Sequence, residues 1–226
     1  MQPEFQLSIA IDFLARGLLW TLVIFAGAAV LGLVLSLMIG LARISRHGIL
    51  RWPAMAHTEV FRGTSALVQL FWFFYALPLM IGLNLTPITA AITVLALNTS
   101  AYGAEVVRGA IQAVPRGQSE AATALGLTRM QTVWRIVVPQ AVPAMLPPFG
   151  NLLIEQLKNS ALAYIITVPE LTRQAEKLWS NFPTLKLELM LALLCTYFII
   201  ALGITGIIRL SEHLSSRGIR AGAGRE

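Results

Sequence analysis

The sequence contains few charged residues. Of its 226 residues, 12% are Asp, Glu, Lys or Arg, whereas 56% are hydrophobic. This is about half the charged fraction of a typical soluble domain, too little to cover a surface that faces water. The net charge of +6 does not indicate nucleic-acid binding, because the basic residues lie between apolar runs without interleaved aromatic side chains. Composition and length therefore predict one domain, residues 1–226, built within a membrane.

Cysteine pairs, metal-site spacing and a phosphate-binding loop are also missing. Cys195 is the single cysteine, which excludes a disulfide framework within the chain, and the three histidines are scattered. No lysine follows a glycine, as the GxxxxGK[ST] loop requires, and no nucleophile elbow surrounds a serine. We therefore expect no metal, no cofactor and no intrinsic enzyme activity. Any ATP hydrolysis has to come from another chain.

Long uncharged runs predict an all-α, polytopic membrane protein with five transmembrane helices. One run, residues 63–104, carries no charge and is about twice the length that one helix needs to cross the bilayer. It must therefore fold back, and Asn84 and Pro87 mark the turn. The predicted spans are residues 17–42, 62–82, 87–108, 146–167 and 189–208.

Arginines at the ends of these runs predict the orientation. Arg43 and Arg46 follow the first span and Arg209 follows the last, which places both positions in the cytoplasm and the N-terminus outside. No basic segment precedes the first run, so we expect this span to be retained and not cleaved as a signal peptide.

Small residues repeat along the first predicted span. Ala28, Gly32, Ser36 and Gly40 recur every fourth residue, which puts them on one helix face. Such a stripe allows the backbone of a second helix to approach closely.

Opposite charges flank the long uncharged run. Glu59 and Arg62 precede it, and Glu105 and Arg108 follow it, each pair at the spacing that shares a helix face. We expect two local pairs at the cytoplasmic boundary, where simple anchoring of the helix ends is an equally good explanation.

A polar stretch, QSEAATALGLTRMQTVWRIVVP, interrupts the apolar sequence within a predicted loop, residues 112–139. Ser119 is a candidate N-cap, followed by Glu120, since acidic residues favour the first turn of a helix. Ala121, Ala122 and Ala124 would give this helix a small-residue surface, and Gly126 would end it in a left-handed conformation. An ordinary cytoplasmic loop helix would show the same features.

The full spacing of this stretch, EAA-x3-G-x9-I-x-x-P, resembles the signature loop of the membrane subunits of ABC importers. It matches through Glu120 to Pro139 and departs at Val138, where the family usually has Leu. The resemblance implies a type I importer permease fold. It also implies a coupling helix that docks on an ATPase subunit through Glu120, Ala121, Ala122, Gly126 and Leu127.

Two further segments, EVFRGTSALVQLFW and AYGAEVVRGAIQAVPRGQSEAA, resemble the polar amino acid branch of these permeases, of the histidine and glutamine type. Ser65 departs from the proline that this branch more often has. Some segments, MLPPFGNLLIEQLK among them, are similar to permeases for ectoine and hydroxyectoine. The resemblance implies the plasma (inner) membrane as location. It implies as partners an ATPase dimer, a second permease subunit, identical or related, and an extracytoplasmic solute-binding protein, and no nucleic acid.

The fourth predicted span carries opposite charges near its centre. Glu155 and Lys158 lie three residues apart, with Asn151 and Asn159 nearby. Because a charge in the bilayer centre is costly, such residues usually face a cavity or a partner. We expect them to line a translocation path for a zwitterionic solute; a structural ion pair between helices is the alternative.

The segment 169–188 mixes both signs of charge and is predicted to be external. Leu171, Ala175 and Leu178 repeat at helical spacing, which predicts a short helix on the membrane surface with Trp179 as its anchor. Two other functions fit a chain with several membrane spans but not this motif. A carrier driven by an ion gradient or a membrane scaffold would leave the EAA spacing unexplained.

Overall fold

A computed structural model describes the backbone of residues 3–223 and the side chains of residues 11–213. This part of the chain is helical and contains no strand. In chain order the helices are α1 (Pro3–Arg43), α2 (Gly48–Gly63), α3 (Ala66–Ile81), α4 (Pro87–Ala113), α5 (Arg116–Ala124), α6 (Arg129–Ile166), α7 (Leu171–Asn181) and α8 (Lys186–Ala223). The all-α prediction is confirmed.

Four segments are long and apolar enough to cross a membrane: Ile11–Arg43, Pro87–Ala113, Arg129–Ile166 and Pro183–His213. Helices α2 and α3 pass the same test only as a pair, bent by 107°. By length and composition, the described residues therefore contain four candidate spans, or five if the bent pair forms one span.

The bend between α2 and α3 falls inside the predicted second span, residues 62–82. Thr64 and Ser65 are extended there, which ends one helix and starts the next. Buried Gln69 holds the bend, because its amide donates to the carbonyls of Phe61 (2.9 Å) and Thr64 (3.1 Å). These bonds satisfy carbonyl groups that the end of a helix leaves free.

The turn after α3 lies at the predicted position. Gly82 ends the helix with φ +70°, and α4 begins at Pro87, whose fixed φ suits the first position of a helix. Thr86 caps α4 by accepting a hydrogen bond from the Thr89 amide at 3.2 Å.

The small-residue stripe of α1 packs against α4, as predicted. A Cβ atom added to Gly32 would lie 3.1 Å from Thr99, and one on Gly40 would lie 2.6 Å from Val107. Ala28 and Ser36 are fully buried in the same face. The main core lies between α1, α3 and α4 and includes Ile24, Ala28, Leu70, Ala91, Val94 and Leu95.

Helix α6 is one long helix. Pro143, Pro147 and Pro148 lie inside it, and the predicted fourth span, residues 146–167, starts well within it. Its early turn Val133–Val137 is π-helical and directly precedes α-helix with Pro139 in its first turn. Such π-helical turns are a common place for a helix to change direction.

Helix α7 confirms the predicted short helix, and it packs against α1. Leu171, Ala175 and Leu178 are buried, and the Thr21 hydroxyl accepts a hydrogen bond from the Leu171 amide at 3.0 Å. Trp179 is half-buried and packs against the hydrophobic cluster around Leu178 and Leu189.

Candidate functional site: the α5 loop and the α6 stripe

Helix α5 begins earlier than the sequence predicted. Its first residue is Arg116, so Ser119 and Glu120 lie inside the helix, and the prediction that Ser119 caps it is wrong. The cause is Pro115, because a residue before proline is disfavoured in the α conformation. Val114 is extended (φ −65°, ψ 128°), which separates α4 from α5.

Gly126 ends α5, as predicted. Its φ of +75° is in the left-handed region, where a glycine has no Cβ to clash. The Leu127 amide donates to the Ala122 carbonyl and the Gly126 amide donates to the Thr123 carbonyl, both at 3.0 Å. This pair of bonds is the Schellman motif, which fixes the direction in which the chain leaves the helix.

A capping box starts α6 directly after this turn. The Thr128 hydroxyl accepts a hydrogen bond from the Gln131 amide at 3.3 Å, and the Gln131 side chain accepts one from the Thr128 amide at 2.8 Å. The sequence analysis missed this motif, although the spacing T-x-x-Q was its signal. The turn between α5 and α6 is therefore fixed from both sides by local hydrogen bonds.

Exposure divides the predicted coupling residues into two groups. Glu120 and Ala121 are exposed, Leu127 is half-buried, and Ala122 is 1% exposed because it faces the packed first turns of α6. Ala122 therefore does not belong to the outer surface predicted for it. Leu125, which the sequence analysis did not single out, is 81% exposed at the tip of the loop.

A polar stripe runs along one side of α6. Asn151, Glu155 and Lys158 are exposed, and their spacing of four and three residues places them on one face. Asn159 is half-buried beside this face, while Gln156 is buried on the other side. No ion pair joins Glu155 to Lys158 among the side chains of residues 11–213. Neither residue pairs with a charge on another helix in this part of the chain, so the alternative, a structural ion pair between helices, is not formed there.

Buried amides cross-link the helices behind this stripe. The Thr99 hydroxyl donates to the Gln156 side chain at 2.9 Å, and the Gln156 amide donates to the Phe25 carbonyl at 3.1 Å. The Asn98 amide donates to the Gln69 side chain at 3.2 Å. Sequence reasoning missed these bonds, because no local pattern shows which amides meet across helices.

One carboxylate forms ion pairs with arginines of three helices. Glu105 on α4 contacts Arg43 of α1, Arg62 of α2 and, at 2.8 Å, Arg108 of its own helix. Only the last contact follows from the local spacing that predicted two separate pairs. This cluster ties α1 and α2 to the part of α4 that leads into α5.

The fold and these surfaces define an all-helical membrane protein. It has an exposed loop, fixed by its own hydrogen bonds, and an exposed polar stripe on α6. The model of one protein family, the binding-protein-dependent transport system inner membrane component, matches residues 28–217. A probable amino-acid ABC transporter permease protein of Sinorhizobium fredii is 44% identical over 191 residues, which cover 82% of this chain and 80% of the relative.

Two other similar proteins agree with this match. The glutamine transport system permease protein GlnP of Escherichia coli is 38% identical over 90% of this chain and 93% of its own. The crystal structure of an amino acid ABC transporter with histidines has a TM-score of 0.83 and 33% identity, and the match covers 94% of this chain and 99% of that one. The chain belongs to the inner membrane components of binding-protein-dependent transport systems, as an ABC importer permease of the polar amino acid type.

Membership in this family has direct consequences. The relatives are permease subunits and not enzymes, so the ATPase is a separate subunit, as predicted. An ABC importer permease works with an ATPase and with a second permease subunit, and it is embedded in the membrane. The family does not favour a carrier driven by an ion gradient.

Proposed function

We propose that the chain imports a small zwitterionic solute along the exposed stripe of α6, driven by an ATPase that docks on α5. The observation that carries the proposal is the pair Glu155 and Lys158. These opposite charges lie on one exposed face of a membrane helix and have no ion-pair partner among the described side chains. Charges inside a membrane need a polar surrounding, and a path shared with a second permease subunit supplies one.

The charges on the stripe match the chemistry of the proposed solute. Glu155 and Lys158 are three residues apart, which separates them by about 4.5 Å along the helix axis. A carboxylate and an ammonium group at this spacing complement a cationic and an anionic group on one small molecule. Asn151 and Asn159 add hydrogen-bond donors and acceptors along the same path.

Polar amino acids and ectoine or hydroxyectoine all carry this combination of charges. The similarity to permeases named for amino acids and for glutamine supports the first class. The segments that resemble ectoine permeases support the second. The proposed solute is therefore a polar amino acid or a related zwitterion such as ectoine.

The coupling surface in this proposal consists of Glu120, Ala121, Leu125, Gly126 and Leu127. Glu120, Ala121 and Leu125 are exposed, and the Schellman motif at Gly126 presents them in one fixed geometry. Ala122 acts from inside, by packing α5 on the start of α6. ATP-driven closure of the ATPase dimer would move this rigid unit and open the path to one side and then the other.

The remaining features of the proposal concern location and partners. The subunit lies in the inner membrane with its N-terminus outside and α5 in the cytoplasm, because the arginines follow that distribution. A solute-binding protein delivers the solute on the external side, where α7 lies. The second permease subunit is a copy of this chain or a related one.

The test is uptake of labelled ectoine, glutamine and histidine by the complex reconstituted with its ATPase and binding protein. Glu155→Gln and Lys158→Gln should each lower ATP-dependent uptake about tenfold or more, since each removes one charged hydrogen-bonding group from the path. Glu188→Gln, an exposed carboxylate outside the stripe, is the matched control and should transport normally.

The solute that is taken up identifies the class of substrate. Unchanged uptake in both stripe variants would contradict the proposed path. Uptake that proceeds without ATP would contradict the whole proposal and would favour a gradient-driven carrier.

A further inference from the structure

A cavity of about 710 Å³ lies where the end of α1, the start of α2 and the start of α6 meet. It is separate from the stripe of α6 and from the exposed tip of α5. Its walls are mostly apolar, with cationic side chains among them. The residues that line it are Met38, Leu41, Ala42, Ile44, Ser45, Arg46, His47, Leu50, Arg129, Met130, Val133 and Trp134.

The charge of the cavity has one sign. Arg46 and Arg129 line it together with His47, and no acidic residue does. Arg129 donates to the carbonyl of Ile44 at 3.4 Å and forms no ion pair, and Arg46 forms none either among the described side chains. Both guanidinium groups are therefore available to an anion.

The cavity reaches into the membrane-spanning part of the chain. Met38 lies on the span Ile11–Arg43, five residues before its end, which corresponds to about 7.5 Å along the helix. Met38 is 63% exposed, and across the cavity Met130 and Trp134 are 68% and 54% exposed. In the docking geometry proposed above, an ATPase on α5 stands outside the membrane, whereas Met38 belongs to a membrane span.

A ligand for this cavity has to combine an anionic group with a hydrocarbon chain. We propose that the cavity binds one anionic phospholipid from the leaflet on the α5 side. Arg46 and Arg129 hold the phosphate, and the upper part of an acyl chain lies between Met38 and Trp134. Basic pockets between membrane helices next to the surface are suited to such head groups.

The position of the cavity gives this lipid a structural consequence. A lipid in the cavity contacts α1 and α2 on one side and the first turns of α6 on the other. These turns of α6 continue directly from the turn at Gly126. The bound lipid therefore bridges the membrane helices and the base of the coupling loop.

The experiment is native mass spectrometry of the full permease complex, with and without its ATPase, titrated with phosphatidylglycerol or with phosphatidylcholine of the same acyl chains. Wild type should retain one phosphatidylglycerol per copy of this chain in preference to phosphatidylcholine. Arg46→Gln should weaken that binding about fivefold and Arg46→Gln with Arg129→Gln about thirtyfold, at about 1 kcal/mol per arginine.

Two further variants keep the test decisive. Arg209→Gln removes an exposed arginine near the end of the last span, outside the cavity, and should leave binding unchanged. Ala42→Trp fills the cavity without removing a charge and should lower lipid binding even if loss of the Arg129 hydrogen bond prevents the double variant from folding.

Three outcomes overturn the proposal. The first is equal retention of the two lipids by wild type. The second is phosphatidylglycerol binding that is as tight in Arg46→Gln and in Ala42→Trp as in wild type. The third is loss of the lipid as soon as the ATPase binds. The last outcome would show that the ATPase covers the cavity instead.

Discussion

The two short helices that connect long ones are held in place in different ways. Helix α5, before α6, is fixed by local hydrogen bonds at Gly126 and Thr128, and most of its surface is exposed. Helix α7, after α6, is buried against α1 and α8 along Leu171, Ala175 and Leu178. A helix whose end is fixed mainly by local hydrogen bonds, with Ala122 as its buried contact, keeps most of its surface free for another protein, whereas α7 is packed within the fold.

Replacing Gly17 with Val would disrupt the packing of α7 against α1. This substitution has the largest expected effect on stability. A Cβ atom at Gly17 would lie 2.8 Å from the Cα atom of Leu171, so α7 has to move away from α1. We expect a loss of about 2 kcal/mol of unfolding free energy, typical of overpacking. Thermal unfolding of the purified subunit measures it.

Gly203→Val is the matched control for that variant. Gly203 is exposed on α8, and a Cβ atom there meets nothing within 4 Å. Equal melting temperatures for Gly17→Val and Gly203→Val would show that α7 is not held by its contact with α1.

The pH dependence of stability also depends on the buried helix α7, and the expected effect is smaller. Glu170 is fully buried and accepts hydrogen bonds from the amides of Thr172 (2.9 Å) and Arg173 (2.7 Å). Burial raises the pKa of Glu170, so the folded chain binds this proton more tightly than the unfolded chain does. The extra stability that comes from binding this proton is fully present below the carboxyl pKa of the unfolded chain, about 4.3. It is lost as the pH rises through the raised pKa of Glu170 in the folded chain.

Glu170→Gln should remove this part of the pH dependence, since the amide keeps an oxygen for the cap but does not titrate. Melting temperatures of wild type and variant, measured from about pH 4 upward, should therefore diverge in slope. Glu188→Gln, at an exposed carboxylate, should keep the wild-type slope. Parallel curves for wild type and Glu170→Gln would mean that burial of Glu170 has no effect on stability.

The comparison also explains which features could be predicted from the sequence. The all-helical class follows from apolar runs, and the end of α5 follows from Gly126, because both depend on neighbouring residues. The start of α5 was predicted wrongly although its signal, Pro115, is local, whereas the burial of Ala122 comes from packing against α6, which no local pattern shows. Both the packing of α7 and the contacts of Glu105 with Arg43 and Arg62 depend on residues distant in sequence, so no local pattern contained them.

The candidate transport stripe could be predicted from the sequence in part. The spacing of Asn151, Glu155 and Lys158 was enough to place them on one face of a helix. The sequence did not determine whether the two charges would pair with each other. In the structure both side chains are exposed, and no ion pair joins them among the described side chains.

Binding of the purified ATPase to the subunit tests the central claim most directly, in wild type and in Gly126→Val. Valine in the left-handed conformation of Gly126 costs about 1–3 kcal/mol of local strain, which breaks the turn that presents α5. The control is Gly109→Val, at an exposed position of α4 where a Cβ atom meets nothing within 4 Å.

We predict that Gly126→Val weakens ATPase binding about tenfold or more, as loss of a central interface element does, while the membrane helices melt as in the control. ATPase binding equal in Gly126→Val, Gly109→Val and wild type would contradict the account, because α5 would then not be the docking surface.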